Sequence, residues 1–362
     1  MSVSNVVSLA TLQAAMGAAT APTPTFIQTN LISDGTVPAA KTDPNLINPW
    51  GVSFGTSPFW ISDNGTGLAS VDSVTGANIT LNAIPAVTIP PAMPGGPPAA
   101  VTGQVANPFP SAFVLPDGSP AAFLFATEDG TISGWNTGTQ AVTLVNNNTN
   151  SAAGDAASKT GAVYKGLAIG TSASGPTLYA ANFRHGTVDM FNASLKPIKS
   201  FTDAAVPAGF APFNVQMLDG KLFVTFAQQD PTKHDDVAGA GHGFVDAFDL
   251  NGNMLGRVAS GGTLDSPWGL AIAPPTFGSF ANDLLVGNFG DGTINVFNPT
   301  TDAFLGQLTG ANGKPLVNQS LWALTPGNGG AAGDVNTIYF TAGLQSEQHG
   351  LFGSIIAAPP HA

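Results

Sequence analysis

A chain of 362 residues, 43% hydrophobic and only 9% charged, can bury a large core and is not an intrinsically disordered polymer. Its formal net charge of -12, with no cluster of Lys or Arg, repels phosphate backbones and anionic lipid, which excludes nucleic acid as a partner. With no cysteine there is no disulfide or thiolate chemistry, and 44 glycines with 29 prolines imply many turns between short strands.

Residues 1–24, "MSVSNVVSLATLQAAMGAATAPTP", read as a leader: the remnant of an export signal without a basic n-region, or a flexible segment. No apolar run reaches the roughly 20 residues that a membrane helix needs, so no membrane insertion is expected. Next comes "TFIQTNLISDG", a strand with no partner nearby in sequence. Six similar units follow, starting at "NPWGVSF", "NPFPSAF", "VYKGLAI", "APFNVQM", "SPWGLAI" and "QSLWALT". Each continues through an apolar segment to a turn ending in Gly, then an alternating segment such as "TVDMFN" or "TINVFN". Several close with a fourth strand, for example "PIKSFTD", "NMLGRVAS" and "AFLGQLTG".

Four strands in each of six units predict an all-β, six-bladed β-propeller over residues 25–358, followed by a tail at 359–362. The last unit runs out after its third strand, "LFGSIIAAPP", so the N-terminal strand is expected to complete it and close the ring. The Pro/Gly-rich "IPPAMPGGPPAAVTGQ" is expected to be an exposed loop within the ring.

In a propeller the start of each innermost strand and the turn after the second strand share the face at the channel mouth. The unit starts place Trp50, Phe109, Lys165, Phe213, Trp268 and Trp322 at the channel edge. Such a ring would stack a substrate, or it would plug the channel where the blades converge. The turns carry Asn64, Asp129, His185, His242, Asp291 and His349, each before a Gly, as type I′ hairpins prefer. Histidine is also enriched at positive φ, so one backbone cause covers all six. Against that, the only two glutamates, Glu128 and Glu347, and one of the two arginines, Arg184, flank these turns. With Lys165 they mark a titratable rim, and the catalytic candidates are His185, His242, His349, Glu128 and Arg184.

Zinc would need imidazoles converging to about 2.0–2.1 Å, which turns spread around a rim do not favour. The long blade-four connection "AQQDPTKHDDVAGAGHG" instead gathers Asp230, His234, Asp235, Asp236 and His242. It reads as a divalent-metal site (Ca or Zn) on His242, His234, Asp235 and Asp236, as a His234–Asp acid/base pair, or as a solvated lid. No phosphate loop, Gly-x-Ser-x-Gly elbow or His-Glu-x-x-His helix is present, so no nucleotide cofactor is expected.

The phrases "NPWGVSF", "FATEDGTISGWN", "KHDDVAGAGHGFVDAFD", "SPWGLAIAP", "LLVGNFGDGTINVF" and "HGLFGS" resemble a family of uncharacterised bacterial exported propellers, some with C-terminal sorting tails. More remotely the blades are similar to NHL-type propellers, whose members include lyases, lactonases and interaction modules. The resemblance implies an exported six-bladed propeller and carries over no catalytic residue. This chain ends at "IIAAPPHA" without an apolar anchor, so a released, monomeric, extracellular or periplasmic protein is expected. The functional expectation is a small-molecule ligand at the channel mouth, acted on by a metal-assisted hydrolase or lyase. The alternative is a non-catalytic scaffold that binds glycans or protein.

Overall fold

Short apolar segments separated by Gly-containing turns can satisfy their backbone groups only by pairing laterally, and closing the resulting sheets into a ring protects their edges. The computed structural model describes residues 25–148 and 160–359 and shows this solution. The leader expected over residues 1–24 and residues 360–362 of the tail lie outside the described residues.

The chain enters through β1 (Phe26–Ser33) and β2 (Lys41–Thr42). Blade one is β3 (Pro49–Ser53), β4 (Phe59–Asp63), β5 (Leu68–Thr75) and β6 (Asn78–Thr80), with β7 (Val87–Thr88) added against β5. Blade two is β8 (Val101–Ala106), β9 (Phe123–Thr127), β10 (Thr131–Trp135) and β11 (Val142–Asn146). Blade three is β12 (Tyr164–Ser172), β13 (Gly175–Asn182), β14 (Thr187–Asn192) and β15 (Pro197–Phe201). Blade four is β16 (Phe210–Leu218), β17 (Lys221–Gln228), β18 (Gly243–Phe248) and β19 (Met254–Ser260). Blade five is β20 (Pro267–Ile272), β21 (Leu284–Asn288), β22 (Ile294–Phe297) and β23 (Phe304–Gln307). Blade six is β24 (Leu321–Pro326), β25 (Ile338–Ala342) and β26 (Leu351–Ala357), completed by β1, which carries β2 on its outer edge.

The expected closure is therefore present: β1 runs antiparallel to β26 from Phe26 opposite Ala357 to Ser33 opposite Leu351. Each innermost strand packs against the next, and β24 returns to β3. Apolar side chains fill the spaces between blades, such as Phe59, Ile61, Tyr339 and Phe352 between blades six and one.

Every innermost strand carries a β-bulge at the same place. Its register against the second strand slips by one residue at Trp50–Gly51, Thr102–Gly103, Lys165, Phe213, Trp268 and Trp322–Ala323. A bulge re-aims a side chain and frees backbone groups from the ladder. The freed carbonyls are taken by neighbouring blades. Gln104 donates to Gly51 O (2.8 Å), Thr102 to Tyr164 O (2.7 Å), Asn214 to Trp268 O (2.8 Å) and Thr341 to Trp50 O (2.6 Å).

This register corrects two expectations. Val101–Gln104 is not exposed loop but the inner strand of blade two, and its channel-edge residue is Thr102. Phe109 lies beyond that strand, half-buried against Phe113 in the blade-two core, because the Pro-aromatic phrase there is not the bulge of the repeat.

The bulges bring inner strands so close that a Cβ at Gly103 would lie 2.3 Å from Leu167 N, and one at Gly51 2.6 Å from Thr102 O. The obstructing atoms are backbone and cannot swing away. Gly103→Ala is expected to lower stability by about 1–3 kcal/mol or more, measured by denaturant unfolding.

One buried position departs from the repeat. β4 ends in Asp63 where β13 and β21 end in Asn182 and Asn288. Asn288 donates to Thr263 O at 2.8 Å, whereas the fully buried Asp63 carboxyl has only Ser70 beside it and no well-formed hydrogen bond to either oxygen. Burial, with Asp72 and Asp43 nearby, pushes that carboxyl well above the usual range. A raised folded-state pKa contributes stability at low pH that is lost as pH rises through it. Asp63→Asn should therefore change little near pH ~4 and add about 1–3 kcal/mol near pH ~8, read from unfolding curves at the two pH values.

Candidate functional site

The re-aimed side chains meet at the axis as a plug. Trp50 and Trp322 stack with centroids 3.4 Å apart at 19°, and Trp268 meets both edge-on at 6.0 and 5.8 Å. Phe213 completes the group at 5.8 Å from Trp322. Trp50, Phe213, Trp268 and Trp322 are at most 4% exposed and belong to one cluster, so at the mouth they present no free ring face for a substrate. Of the two readings of the ring, this geometry is the plug. Phe183 and Phe289 also join it, 5.4 Å from Phe213 and 4.2 Å from Trp322. Sequence reasoning missed both, although the repeated "NF" of "NFRHG" and "NFGDG" was the available signal.

Lys165 is the cation of this bulge ring, and it stands over the plug. Its Nζ lies 5.2 Å from the Trp50 ring centroid and 5.8 Å from that of Phe183, within cation–π range. It is 2% exposed and ion-paired with Glu128, and its Nζ lies 3.4 Å from Asp235 Oδ1. Burial alone would depress its pKa, but the carboxylates of Glu128 and Asp235 outweigh that and hold it above the usual lysine value.

From Lys165 a belt of side chains runs around the mouth. Glu128 Oε2 accepts from Asn64 Nδ2 at 3.1 Å, and Asn64 Oδ1 accepts from Asn48 Nδ2 at 3.3 Å. Asn48 also donates to Glu347 Oε2 at 2.8 Å and accepts from Trp322 Nε1 at 2.9 Å. On the other side His234 Nδ1 is 2.8 Å from Asp235 Oδ1. The blade-four connection thus folds over the mouth, anchored where Gln229 donates to Phe183 O at 2.5 Å.

Environment drives the carboxyls apart. The hydrogen bond from His234, with Lys165 alongside, holds the exposed Asp235 carboxyl well below the usual range. Burial, reinforced by Glu128, pushes Glu347 up to about 7, and burial pushes Asp236 up to about 6. Glu347 also sits in the left-handed region (φ 67) after Gln345 and Ser346 at φ 52 and 58. Three consecutive non-glycine residues there are costly, and such strain gathers at functional sites.

The turn histidines do not converge. His185 lies against Asn182 Nδ2 (3.1 Å) and Thr160 O (3.2 Å), His242 against Val237 O (2.8 Å), and His349 against Asp34 (2.5 Å) and Thr36 (2.6 Å). A shared three-histidine site, already disfavoured by turns spread around a rim, does not form, because each Nδ1 is engaged by its own surroundings. Arg184 is buried, with Nη1 donating to Gly161 O at 3.1 Å. The type I′ expectation is also corrected, since none of the six turn residues has positive φ. In blades two, three and five the glycine after them does, at φ 77, 71 and 74 for Gly130, Gly186 and Gly292. Gly130 N bonds Thr127 O, and Gly186 N bonds Asn182 O and, more weakly, Phe183 O, so it is the glycine and not the residue before it that takes the left-handed conformation.

Of the proposed metal donors, the structure gathers His234 and Asp235, but with Glu128 rather than His242: one ligand atom from each lies within 4.8 Å of the others. The Lys165 ammonium already bridges Glu128 and Asp235, so a divalent ion would have to displace it. Lys165→Met leaves Glu128 buried without its counter-charge and is expected to cost about 3–5 kcal/mol. The double variant with Glu128→Gln should recover part of that loss in the same unfolding assay.

Among known proteins, two uncharacterised proteins of Acanthamoeba polyphaga mimivirus are similar along most of this chain. One is 30% identical over 348 residues, covering 90% of this chain and 78% of its own length. Another is 29% identical over 336 residues, covering 90% and 84%. These relatives are viral, which corrects the bacterial family expected from the sequence phrases. No protein-family pattern matches the chain. Among solved structures, a glucose dehydrogenase superposes with a TM-score of 0.54 at 10% identity, covering 92% of this chain and 100% of that one. The soluble aldose sugar dehydrogenase of Escherichia coli gives 0.52 at 11%, with the same coverage. At such identities the likeness is one of fold. Within the described residues no helix is long and apolar enough to cross a membrane.

Proposed function

Since the chain belongs to the family of these mimivirus proteins, whose names assign no activity, we propose from its own channel mouth that it binds a small organic ligand there and acts on it by acid–base chemistry of the hydrolase or lyase class. The observation that carries this reading is Glu347. It is half-buried, held by Asn48 in a strained left-handed turn, and raised to about 7 beside the Lys165–Glu128–Asp235 group. A carboxyl poised near neutrality beside others held ionised is how one site supplies both an acid and a base. Glu347 exchanges the proton, and Lys165, buried beneath Glu128 and Asp235, keeps those two carboxylates ionised beside it. His234 and Asp235, on the overlying connection, form the second proton-handling pair.

In this reading Lys165 supplies the positive charge that a metal would otherwise bring. A divalent ion on Glu128, His234 and Asp235 is the variant form, and metal analysis of the purified protein distinguishes the two. The buried plug supports the rival, a non-catalytic scaffold, to the extent that the aromatic ring is structural.

The deciding experiment is carboxyl titration by NMR with Glu347→Gln as the assignment control. A Glu347 midpoint near 7 that moves when lactones, phenolics or other small organic substrates are added supports the reading. An ordinary midpoint near 4.5, unmoved by any of them, refutes it. Where turnover is found, Glu347→Gln should lower kcat about 10²–10⁴-fold and abolish the pH limb near 7.

A further inference from the structure

The plug divides the central channel, and the side away from the charged mouth is open. Past the bulges the inner strands diverge around a cavity of about 250 Å³ with Trp268 at its floor. All six blades contribute to its wall, including Ser53, Gln104, Gln216 and Thr325. None of the lining residues is ionisable. This contrasts with the mouth, where Lys165, Glu128, Asp235, Asp236 and Glu347 gather.

The geometry points to a second binding site in this funnel, for an uncharged, monosaccharide-sized polyol. Three features of the lining define that chemistry. Each innermost strand pairs with only one neighbour inside its sheet, so its other edge, with amide N–H and C=O groups alternating, faces the channel. The edges of blades one, two, three, four and six line the cavity with both donors and acceptors, while blade five contributes Trp268, a pattern that hydroxyl groups match because each can act in both roles.

The side chains add to this in a preset arrangement. Gln104 is fixed by its bonds to Gly51 O (2.8 Å), Trp60 O (2.9 Å) and Ser53 Oγ (3.1 Å). Asn214 is fixed by Trp268 O and Val215 N, both at 2.8 Å. Both have bonding capacity left: one N–H on Asn214 Nδ2 and one lone pair on Gln104 Oε1. Groups already locked lose little entropy when they bind.

Charge and size narrow the ligand further. A charged ligand would be desolvated against walls that offer no counter-charge, whereas a hydrocarbon would strip water from the polar edges. The volume is just under the ~300–1,000 Å³ of drug-sized pockets, which suits a single sugar ring rather than a chain of them.

The test uses the whole protein, titrated with glucose and myo-inositol and, as charged counterparts, glucuronate and glucosamine. Tryptophan fluorescence and calorimetry are the readouts, because Trp268 lies at the floor. A ligand this small should saturate with a Kd of about 1 mM, and the charged counterparts should bind at least about tenfold more weakly. Gln216→Leu on the partly exposed wall and Ile169→Trp across the funnel should each weaken the neutral polyols by about tenfold or more. Glu347→Gln at the mouth should leave their affinity unchanged. No saturation with either neutral polyol overturns the proposal, as does equal binding of the charged sugars. Binding lost in Glu347→Gln but kept in Gln216→Leu would move the site to the mouth. Because the two sites have separate variants, failure here leaves the acid–base reading untouched.

Discussion

The ring depends on how closely six innermost strands can approach one axis. Regular strands with side chains at every position could not do so, and the bulge is the device that permits it. It removes one residue from the ladder in each inner strand and turns that side chain inward. The following residue is glycine in blades one, two, three and five, because the next strand's backbone occupies the place of a Cβ. The carbonyls released by the bulges would be buried without partners, a cost of about 1–3 kcal/mol each. Side chains of neighbouring blades, including Gln104, Thr102, Asn214 and Thr341, accept that role and so lock blade to blade.

The same device creates the chemistry of the mouth. In four blades the inward residue is aromatic, and the rings condense into a dry plug. Blade three puts Lys165 there instead, which forces an ammonium into a nearly water-free position over tryptophan. That charge needs compensation, and Glu128 and Asp235 supply it from two other blades. Burial raises the second glutamate, Glu347, and the nearby Glu128 carboxylate adds to it, while the Asn48–Asn64 pair spaces the two carboxyls. In a chain with only two glutamates, one pairs with the buried lysine and the other is joined to that pair through Asn48 and Asn64.

The plug also gives the channel two unlike ends. On one side stand ionisable groups with shifted proton affinities. On the other lies an uncharged funnel of strand edges, side-chain amides and hydroxyls. A single row of bulges separates them, so a change that reshapes one end need not alter the charge of the other.

Periodicity determined the blade count, the four-strand sheets and the closure by "TFIQTNLISDG", because a strand that must bury one face leaves an alternating pattern wherever it occurs. The rarity of charge likewise marked Glu128, Glu347 and Lys165 before any geometry was known. Phe109 was mistaken for a channel residue because a bulge is a matter of register between two strands, which one strand's residues do not reveal. The turn histidines looked equivalent because sequence reports spacing along the chain, and not the Asp34, Asn182 or Val237 against which each ring folds. Asn48, the plug's Phe183 and Phe289, and the placing of Asp235 over Lys165 emerged only in three dimensions. Local pattern sets which strands form, but contacts across blades, tens to hundreds of residues apart in the chain, decide which side chains share one buried space.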